Sequence, residues 1–360
     1  MKDGAKENEE LIRETLRLVS PGTALYEGLE NILRARTGAL IVVGDSEEVL
    51  SLVNGGFRID TEVNPAALYE LAKMDGALIL SRDAKRILYA NAHLTPDPMI
   101  PTVETGSRHR TAEQVARQTG ALVISISQRR NIITLYRGTM RYVLQDVGVL
   151  LTKANQALST LERYKSVLEQ SLSNLSALEF EDLATLTDVA TCLQRAQLVS
   201  RIAREIERYV AELGVEGRLV SMQLDELMVG IENEGLLIIM DYRDPEHSGS
   251  PQEILQQLES CTSDELLELG FIARALGHGG SLNSLEVPVT PRGYRVLHKI
   301  PRLPAPVIEN IVQTFKSLPE IMEASIDELD DVEGIGEVRA KAIKDGLRRL
   351  REQALLDRHL

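Results

Sequence analysis

What this chain lacks narrows its class before any motif is read. It has only two cysteines in 360 residues, Cys192 and Cys261, far apart and in none of the close spacings that hold zinc. No disulfide framework and no cysteine-ligated metal is expected, and a reducing cytosol suits both thiols. No stretch approaches the roughly 18 apolar residues of a membrane span. The opening Met1-Lys2-Asp3-Gly4-Ala5-Lys6-Glu7 is charged and holds no apolar leader. The expectation is a soluble, cytoplasmic protein without membrane contact. Low-complexity and Pro-rich tracts are missing too, and a composition 43% hydrophobic and 26% charged is that of globular domains. Positive charge is not in excess. The net charge of −14 excludes a surface coated in nucleic acid, so any DNA contact must be local. Acidic and basic residues nearly cancel from residue 287 onward, which places the acidity upstream.

A chain of 360 residues exceeds one ordinary core and predicts two or three domains. Residues 1–147 alternate helix and strand signals. Apolar residues at helical spacing run through residues 9–36 (Leu11, Ile12, Leu16, Leu18, Leu25, Leu29, Ile32, Leu33) and stop at Gly38. Residues 39–44 then read as a buried strand. Asn64-Pro65 opens a helix with an N-cap and a proline at its first position. Asp75-Gly76 breaks that helix, and residues 77–80 and 86–90 read as strands across a polar turn at Asp83. The pattern recurs as a helix through Ala112, Val115 and Ala116, a stop at Gly120, and a strand over residues 121–126. Strands this apolar need cover on both faces, so the fold class here is α/β, a central mixed sheet flanked by helices.

Glycine and proline are absent from residues 149–213. Leu150, Ala154, Leu158, Leu161, Val167, Leu168, Leu172 and Leu175 mark one long amphipathic helix, and Leu193, Val199, Ile202, Ile206 and Val210 a second. Residues 148–286 are therefore expected to form an all-α helical spine, with residues 241–251 as a polar loop. Residues 283–292, with Pro288 and Pro291, read as a linker into a third, all-α domain over residues 287–360. Its helical patterns cover residues 294–299, 307–315, 326–329 and 337–350, and Ser325 with Glu328 fits a capping box.

Three short motifs carry chemistry. Arg108-His109-Arg110 follows Gly106-Ser107 at a helix start, where unpaired N–H groups and the helix dipole favour an anion. Two guanidinium forks, an imidazole and the hydroxyls of Ser107 and Thr111 suit a triphosphate, although a solvated basic turn has the same residues. Asp75-Gly76-Ala77 sits where a helix hands over to a strand, at a sheet edge where α/β folds place ligands. Gly76 would let a ligand approach closely, and Asp75 would bind a metal ion or orient a hydroxyl, or simply end a helix in solvent. Gly334-Ile335-Gly336, after a capped helix and before a basic one, matches the glycine pair of a helix-hairpin-helix, whose N–H groups hold a DNA phosphate without reading sequence. Arg339, Lys341, Lys344, Arg348 and Arg349 extend that contact. An earlier hairpin, Ile300-Pro301-Arg302-Leu303-Pro304, lacks both glycines, so it packs the tandem fold and adds Arg302 or Lys299 rather than binding by backbone.

With these motifs in hand, residues 38–141 resemble the bacterial diadenylate cyclase domain, whose hallmarks are the DGA and RHR motifs. The three-part layout resembles the DNA-integrity-scanning branch of that family over essentially the whole length. The resemblance implies condensation of two ATP molecules into cyclic di-AMP with release of pyrophosphate, in an octamer whose cyclase domains meet face to face. It implies that Asp75, Arg108, His109 and Arg110 are catalytic, and that Asp75, Gly76, Ala77, Leu94, Ser107, Arg108, His109, Thr111, Ser127 and Arg130 bind nucleotide. Ser107 stands where the family commonly has threonine and keeps the hydroxyl, and Ser127-Gln128-Arg129-Arg130 stands where membrane-linked cyclases show Ser-Glu-Glu. A carboxylate of ordinary acidity is a poor base for a sugar hydroxyl, so Asp75 is expected to work with Mg²⁺ or Mn²⁺. His109 as a metal ligand or as a phosphate contact stays open. Branched DNA at the hairpins, coupled to the cyclase and associated with the nucleoid, is implied as well. Two rivals remain: a nonenzymatic DNA-junction binder that only senses nucleotide, and a scaffold held by its helical spine.

Overall fold

The computed structural model describes residues 3–357. Residues 1, 2 and 358–360, at the outer ends of the first and third expected domains, lie outside the described residues. The chain forms two compact units, residues 1–156 with 206–222 and residues 157–205 with 223–360.

The first unit is built on an eight-stranded mixed sheet. Its elements are α1 (Asp3–Leu18), α2 (Ala24–Arg34), β1 (Ala39–Val43), α3 (Glu47–Ser51), β2 (Val53–Asn54), β3 (Phe57–Glu62), α4 (Pro65–Ala72), β4 (Ala77–Leu80), β5 (Arg86–Leu94), α5 (Ser107–Thr119), β6 (Leu122–Ser127), β7 (Ile132–Arg137) and β8 (Met140–Val143). Strand order is β2-β5-β4-β1-β6-β7-β8, with β3 also paired to β5. Only β1 and β4 run parallel, and β6 lies antiparallel on the other side of β1. Alternation along the central strands divides their side chains between two cores. Ile41, Val43, Leu78 and Leu80 face α1, α2 and α4 with Leu16, Leu29, Ile32 and Leu68. Leu40, Val42, Ile79 and Val123 face α3 and α5 with Val49, Ala112, Val115 and Ala116. The mixed sheet covered on both faces is the fold class that the apolar runs predict.

Local signals act where expected. Asn64 caps α4 by accepting from the Ala67 N–H at 2.7 Å, and Gly120 ends α5 at φ +68°, a left-handed position that glycine adopts freely. One expectation fails. The helical stretch over residues 9–36 is two helices, because Pro21-Gly22 turns the chain between α1 and α2, with Gly22 at φ +94°.

The second unit is all α. Helices α6 (Val147–Glu181), α7 (Leu186–Leu213) and α8 (Arg218–Met228) contribute residues to both units, and α9 (Glu234–Tyr242), α10 (Pro251–Ser260), α11 (Ser263–Leu267), α12 (Leu269–Ala275) and α13 (Leu282–Leu285) follow. The stripe on α6 is buried as expected except at Val167, which is 49% exposed beside a fully buried Leu168. The polar loop is shorter than expected: Asp241 and Tyr242 end α9 inside the core, and the loop begins at residue 243. Asp241 accepts the N–H groups of Gly293, Tyr294 and Arg295 at 2.7, 2.6 and 3.0 Å. Those are the orphan donors at the start of the next helix, α14 (Tyr294–His298). The Arg295 guanidinium is wholly buried and paired with the equally buried Glu179 of α6.

The remaining helices are α15 (Ala305–Phe315), α16 (Leu318–Glu323), α17 (Ile326–Asp330) and α18 (Glu337–Asp357). Ser325 and Glu328 form the expected capping box on α17. These helices share one core through Leu297, Ile308, Ile311, Leu329, Ile343 and Leu347, onto which Phe180, Leu237 and Met240 also pack. A change at the two adjacent α6 positions should separate burial from sequence spacing. Leu168→Ala should cost about 2–5 kcal/mol in denaturant unfolding, and Val167→Ala should stay within about 0.5 kcal/mol. Equal losses would contradict the observed phase of the helix.

Candidate functional site

Strand register gathers the predicted residues at one edge of the sheet. Ile41 opposes Leu78 in the parallel pair and Ala39 opposes Ile126 in the antiparallel one. The residues just before β1 and β4, Gly38 and Gly76, therefore share an edge with Ser127 at the end of β6. The β5 partner Ala92 lies opposite Ala77, which brings Leu94 to the same edge. This edge holds the amino ends of β1 and β4 and the carboxyl ends of β5 and β6. The usual placement at strand carboxyl ends thus fails for the parallel pair, because the sheet is mixed.

Helix α5 ends its approach at this edge. Its N-cap is Gly106, which offers no side-chain acceptor. The first bond inside the helix is from the Arg110 N–H to the Gly106 carbonyl, at 2.8 Å, so the N–H groups of Ser107, Arg108 and His109 point outward from the first turn. The Arg108 guanidinium lies 3.7 Å from the Asp75 carboxylate, which is fully exposed to solvent. A Cβ at Gly38 would stand 2.1 Å from Arg108 Nη1. Gly38 does more than stop a helix, since its missing side chain is the space that Arg108 occupies. Gly76 likewise has a packing reason of its own. A Cβ there would lie 2.3 Å from the Asn91 carbonyl carbon, so the glycine admits the bulged β5 backbone. Asn91, itself at φ +53°, accepts the Gly76 N–H at 3.0 Å.

His109 is held from two sides. Its Nδ1 is 3.3 Å from the Ser125 hydroxyl on β6, and its ring meets Tyr136 of β7 edge to face at 6.4 Å. Nε2 is buried with no hydrogen-bond partner among the described residues. Burial holds the imidazole pKa below the ordinary 6.5; Glu104 opposes this, and Arg130, Arg141 and Arg108 add to it. The ring is therefore neutral at physiological pH. Glu104 accepts from Tyr136 and from Arg141, both at 2.8 Å. Burial alone would raise its pKa, yet these two donors hold it below the usual carboxylate value. Burial and the bond to Glu104 raise the Tyr136 phenol. Gly38, Asn91, Glu104, Ser125 and Tyr136 escape a reading of motifs, and only the Thr-Gly before an apolar run hinted at the first. Of the remaining predicted residues, Ala77 and Leu94 are buried, Thr111 and Ser127 are half-buried, and Arg110 and Arg130 are exposed. The Ser127 hydroxyl accepts the Arg130 N–H at 3.2 Å.

In the second unit the predicted DNA contacts divide. Gly334 takes φ +86°, and Gly336 caps α18, accepting from the Arg339 and Ala340 N–H groups at 2.8 and 2.9 Å. The N–H groups of Gly336, Glu337 and Val338 point away from the helix with no acceptor among the described residues. Arg339 folds back onto the Gly334 carbonyl, and Lys341 pairs with Glu337 at 2.6 Å on the surface. Lys344 is engaged elsewhere: its ammonium donates to the carbonyls of Met322 and Ala324 at 2.8 and 2.6 Å, capping the end of α16.

Sequence models of known families match along the chain in the same order. The nucleotide-binding region of the DisA bacterial checkpoint controller matches residues 26–140, its linker region residues 144–285, and the helix-hairpin-helix motif residues 317–346. The chain is 61% identical over 345 residues to the DNA integrity scanning protein DisA of Carboxydothermus hydrogenoformans, covering 96% of this chain and 98% of that one. It is 61% identical over 350 residues to that of Symbiobacterium thermophilum, with 96% and 98% covered, and 57% identical over 351 residues to that of Clostridium kluyveri, with 98% of each covered.

The chain belongs to the DisA family. The edge described above thus lies within a DisA nucleotide-binding domain, and the second hairpin within a helix-hairpin-helix motif. No described helix is long and apolar enough to cross a membrane. For the DisA-type site the neutral state of His109 is directly measurable. Exchange of its ring C2 proton, followed by mass spectrometry across pH, should give a midpoint below 6.5. A midpoint at or above that value would contradict the buried, uncharged ring.

Proposed function

We propose that the first unit is a diadenylate cyclase. It joins two ATP molecules, held on facing protomers, into cyclic di-AMP. The 3′-hydroxyl oxygen of each ATP attacks the α-phosphate of the other, forming a phosphodiester bond as pyrophosphate leaves, and the hydroxyl proton passes to solvent. The observation that carries this reading is the Asp75 carboxylate 3.7 Å from Arg108, beside the uncapped first turn of α5. In this reading Arg108, Arg110 and the N–H groups of that turn hold phosphate oxygens. Neutral His109 offers a hydrogen bond without adding charge, and Ser107, Thr111, Ser127 and Arg130 surround the nucleotide.

A divalent cation, Mg²⁺ or Mn²⁺, fits this arrangement as one shared with the substrate. Among the described residues no group of three or more His, Cys, Asp or Glu gathers as a metal cage, and Mg²⁺ is commonly bound through one or two carboxylates plus phosphates. Asp75 would supply the carboxylate. When bound, such an ion neutralises phosphoryl charge and acidifies the attacking hydroxyl.

We propose further that the hairpin at Gly334-Ile335-Gly336 holds DNA phosphates through the N–H groups of Gly336, Glu337 and Val338, with Arg339 and Lys341 beside them. Branched DNA is the proposed ligand, its binding altering the cyclase rate as a checkpoint signal at the nucleoid of a bacterial cell. The contact would be indifferent to sequence.

Two substitutions test the nucleotide site. Asp75→Asn should lower cyclic di-AMP formation by about two orders of magnitude or more while leaving DNA binding intact. Near-normal turnover would remove Asp75 from the mechanism and favour a domain that only senses nucleotide. Gly38→Ala should displace the Arg108 guanidinium and weaken ATP binding about tenfold in titration calorimetry, with melting moved by no more than about 3 °C. Unchanged ATP affinity would mean that Arg108 does not touch the nucleotide.

A further inference from the structure

The second unit contains the same motif twice. Helix α14, Tyr294–His298, leads through residues 299–304 into α15 at Ala305. Helix α17, Ile326–Asp330, leads through residues 331–336 into α18 at Glu337. The hairpins have equal length and superimpose position by position in kind. Ile300 and Val332 are both buried, and Leu303 and Ile335 both turn toward the shared core. Arg302 stands at the place of Gly334, and Pro304, the N-cap of α15, at the place of Gly336.

The backbone repeats as well. Gly334 takes φ +86°, and Arg302 takes φ +63°. A left-handed backbone suits glycine and is less favourable for a long side chain. The donors do not repeat. The second hairpin presents the N–H groups of Gly336, Glu337 and Val338. The corresponding positions in the first are Pro304, Ala305 and Pro306, and the prolines have no N–H to give. What the first hairpin has instead is a cation. Arg302 is exposed, and no described residue offers its guanidinium a hydrogen bond or ion pair. Arg339, Lys341, Lys344 and Arg348, by contrast, are each engaged with a carbonyl or a carboxylate. A groove of about 630 Å³ lies between the hairpins, lined by Ile300, Arg302 and Leu303 on one side and Gly336, Val338 and Arg339 on the other.

We infer that the first hairpin is a second phosphate contact, in which the Arg302 guanidinium replaces the backbone N–H groups lost to Pro304 and Pro306. This rests on the DNA reading of the second hairpin. The groove would then be spanned by a single nucleic-acid backbone, one phosphate held by N–H groups at α18 and another by the Arg302 side chain. The left-handed residue 302 lies within the hairpin itself, and its side chain lines the groove across from Gly336.

The test uses the full chain with a fluorescein-labelled four-way DNA junction, its affinity measured by anisotropy over a range of salt. Arg302→Gly should weaken binding about tenfold and lower the slope of log affinity against log salt by about 0.9, one phosphate. The same variant should melt no lower than the parent, because glycine accepts the left-handed backbone. Arg302→Lys should keep the salt slope that Arg302→Gly lowers, whereas a purely packing role would leave the slope unchanged in both variants. Gly336→Pro, which gives the second hairpin the proline of the first, should weaken binding on its own. If Arg302→Gly leaves affinity and slope unchanged while Gly336→Pro weakens binding, the inference fails and the DNA reading stands. If the parent chain does not bind the junction, both fail.

Discussion

A guanidinium occupies the space that a single methyl group would fill. Gly38, at the amino end of β1, leaves room for Arg108, whose nitrogen would stand 2.1 Å from a Cβ at that position. Arg108 in turn lies 3.7 Å from Asp75 at the amino end of β4. The contact exists because β1 pairs in parallel with β4 on one side and antiparallel with β6 on the other. That register carries Gly38, Gly76 and Ser127 to a common edge, and α5, running back along the sheet from Gly120, presents its first turn there. Shift the register by one residue and Arg108 loses its space, Asp75 its neighbour, and His109 its contact with Ser125.

Two glycines near this site thus serve packing rather than flexibility. Gly38 admits a side chain and Gly76 admits a bulged strand, and neither takes a positive φ. Gly334 is the opposite case, a left-handed position that its hairpin requires. The polar groups around His109 are layered behind it. Ser125 fixes one ring nitrogen, while Arg141 and Tyr136 converge on Glu104 in the segment leading into α5. Removing Glu104 would leave the buried Tyr136 hydroxyl short of an acceptor and the exposed Arg141 without its carboxylate, the first being the costly loss. In the second unit the same logic applies to Asp241, which takes three N–H groups at the head of α14, and to Arg295, buried against Glu179.

Much of this was readable in the sequence, for identifiable reasons. The runs of β1 and β4 are wholly apolar and buried on both faces, and in β6 only Ser125 and Ser127 interrupt the pattern. Asn64, Gly120 and the Ser325–Glu328 box act through neighbours a turn away, and local chemistry suffices to find them. What was not readable depends on distant partners or on weak patterns. β3 is an almost wholly exposed edge strand, and its alternation, Phe57-Arg58-Ile59-Asp60, is too short and too polar to stand out. Apolar spacing carried the eye through Pro21-Gly22, where turn chemistry overrode it. Val167 is apolar and yet faces solvent, since Leu161, Leu168, Leu172 and Leu175 hold the buried stripe and Val167 lies about 100° around the helix from Leu168. The roles of Gly38, Ser125 and Glu104 are set by residues that only the sheet register brings near. The candidate site was legible as motifs, and its supports were not.

The most direct measurement is of what the intact chain makes from ATP. Incubation with ATP and Mg²⁺ or Mn²⁺, followed by chromatography and mass spectrometry of the nucleotides, should yield cyclic di-AMP with two pyrophosphates for each product molecule. Tight ATP binding without a dinucleotide product, or release of ADP and phosphate instead, would contradict the cyclase reading of this sheet edge.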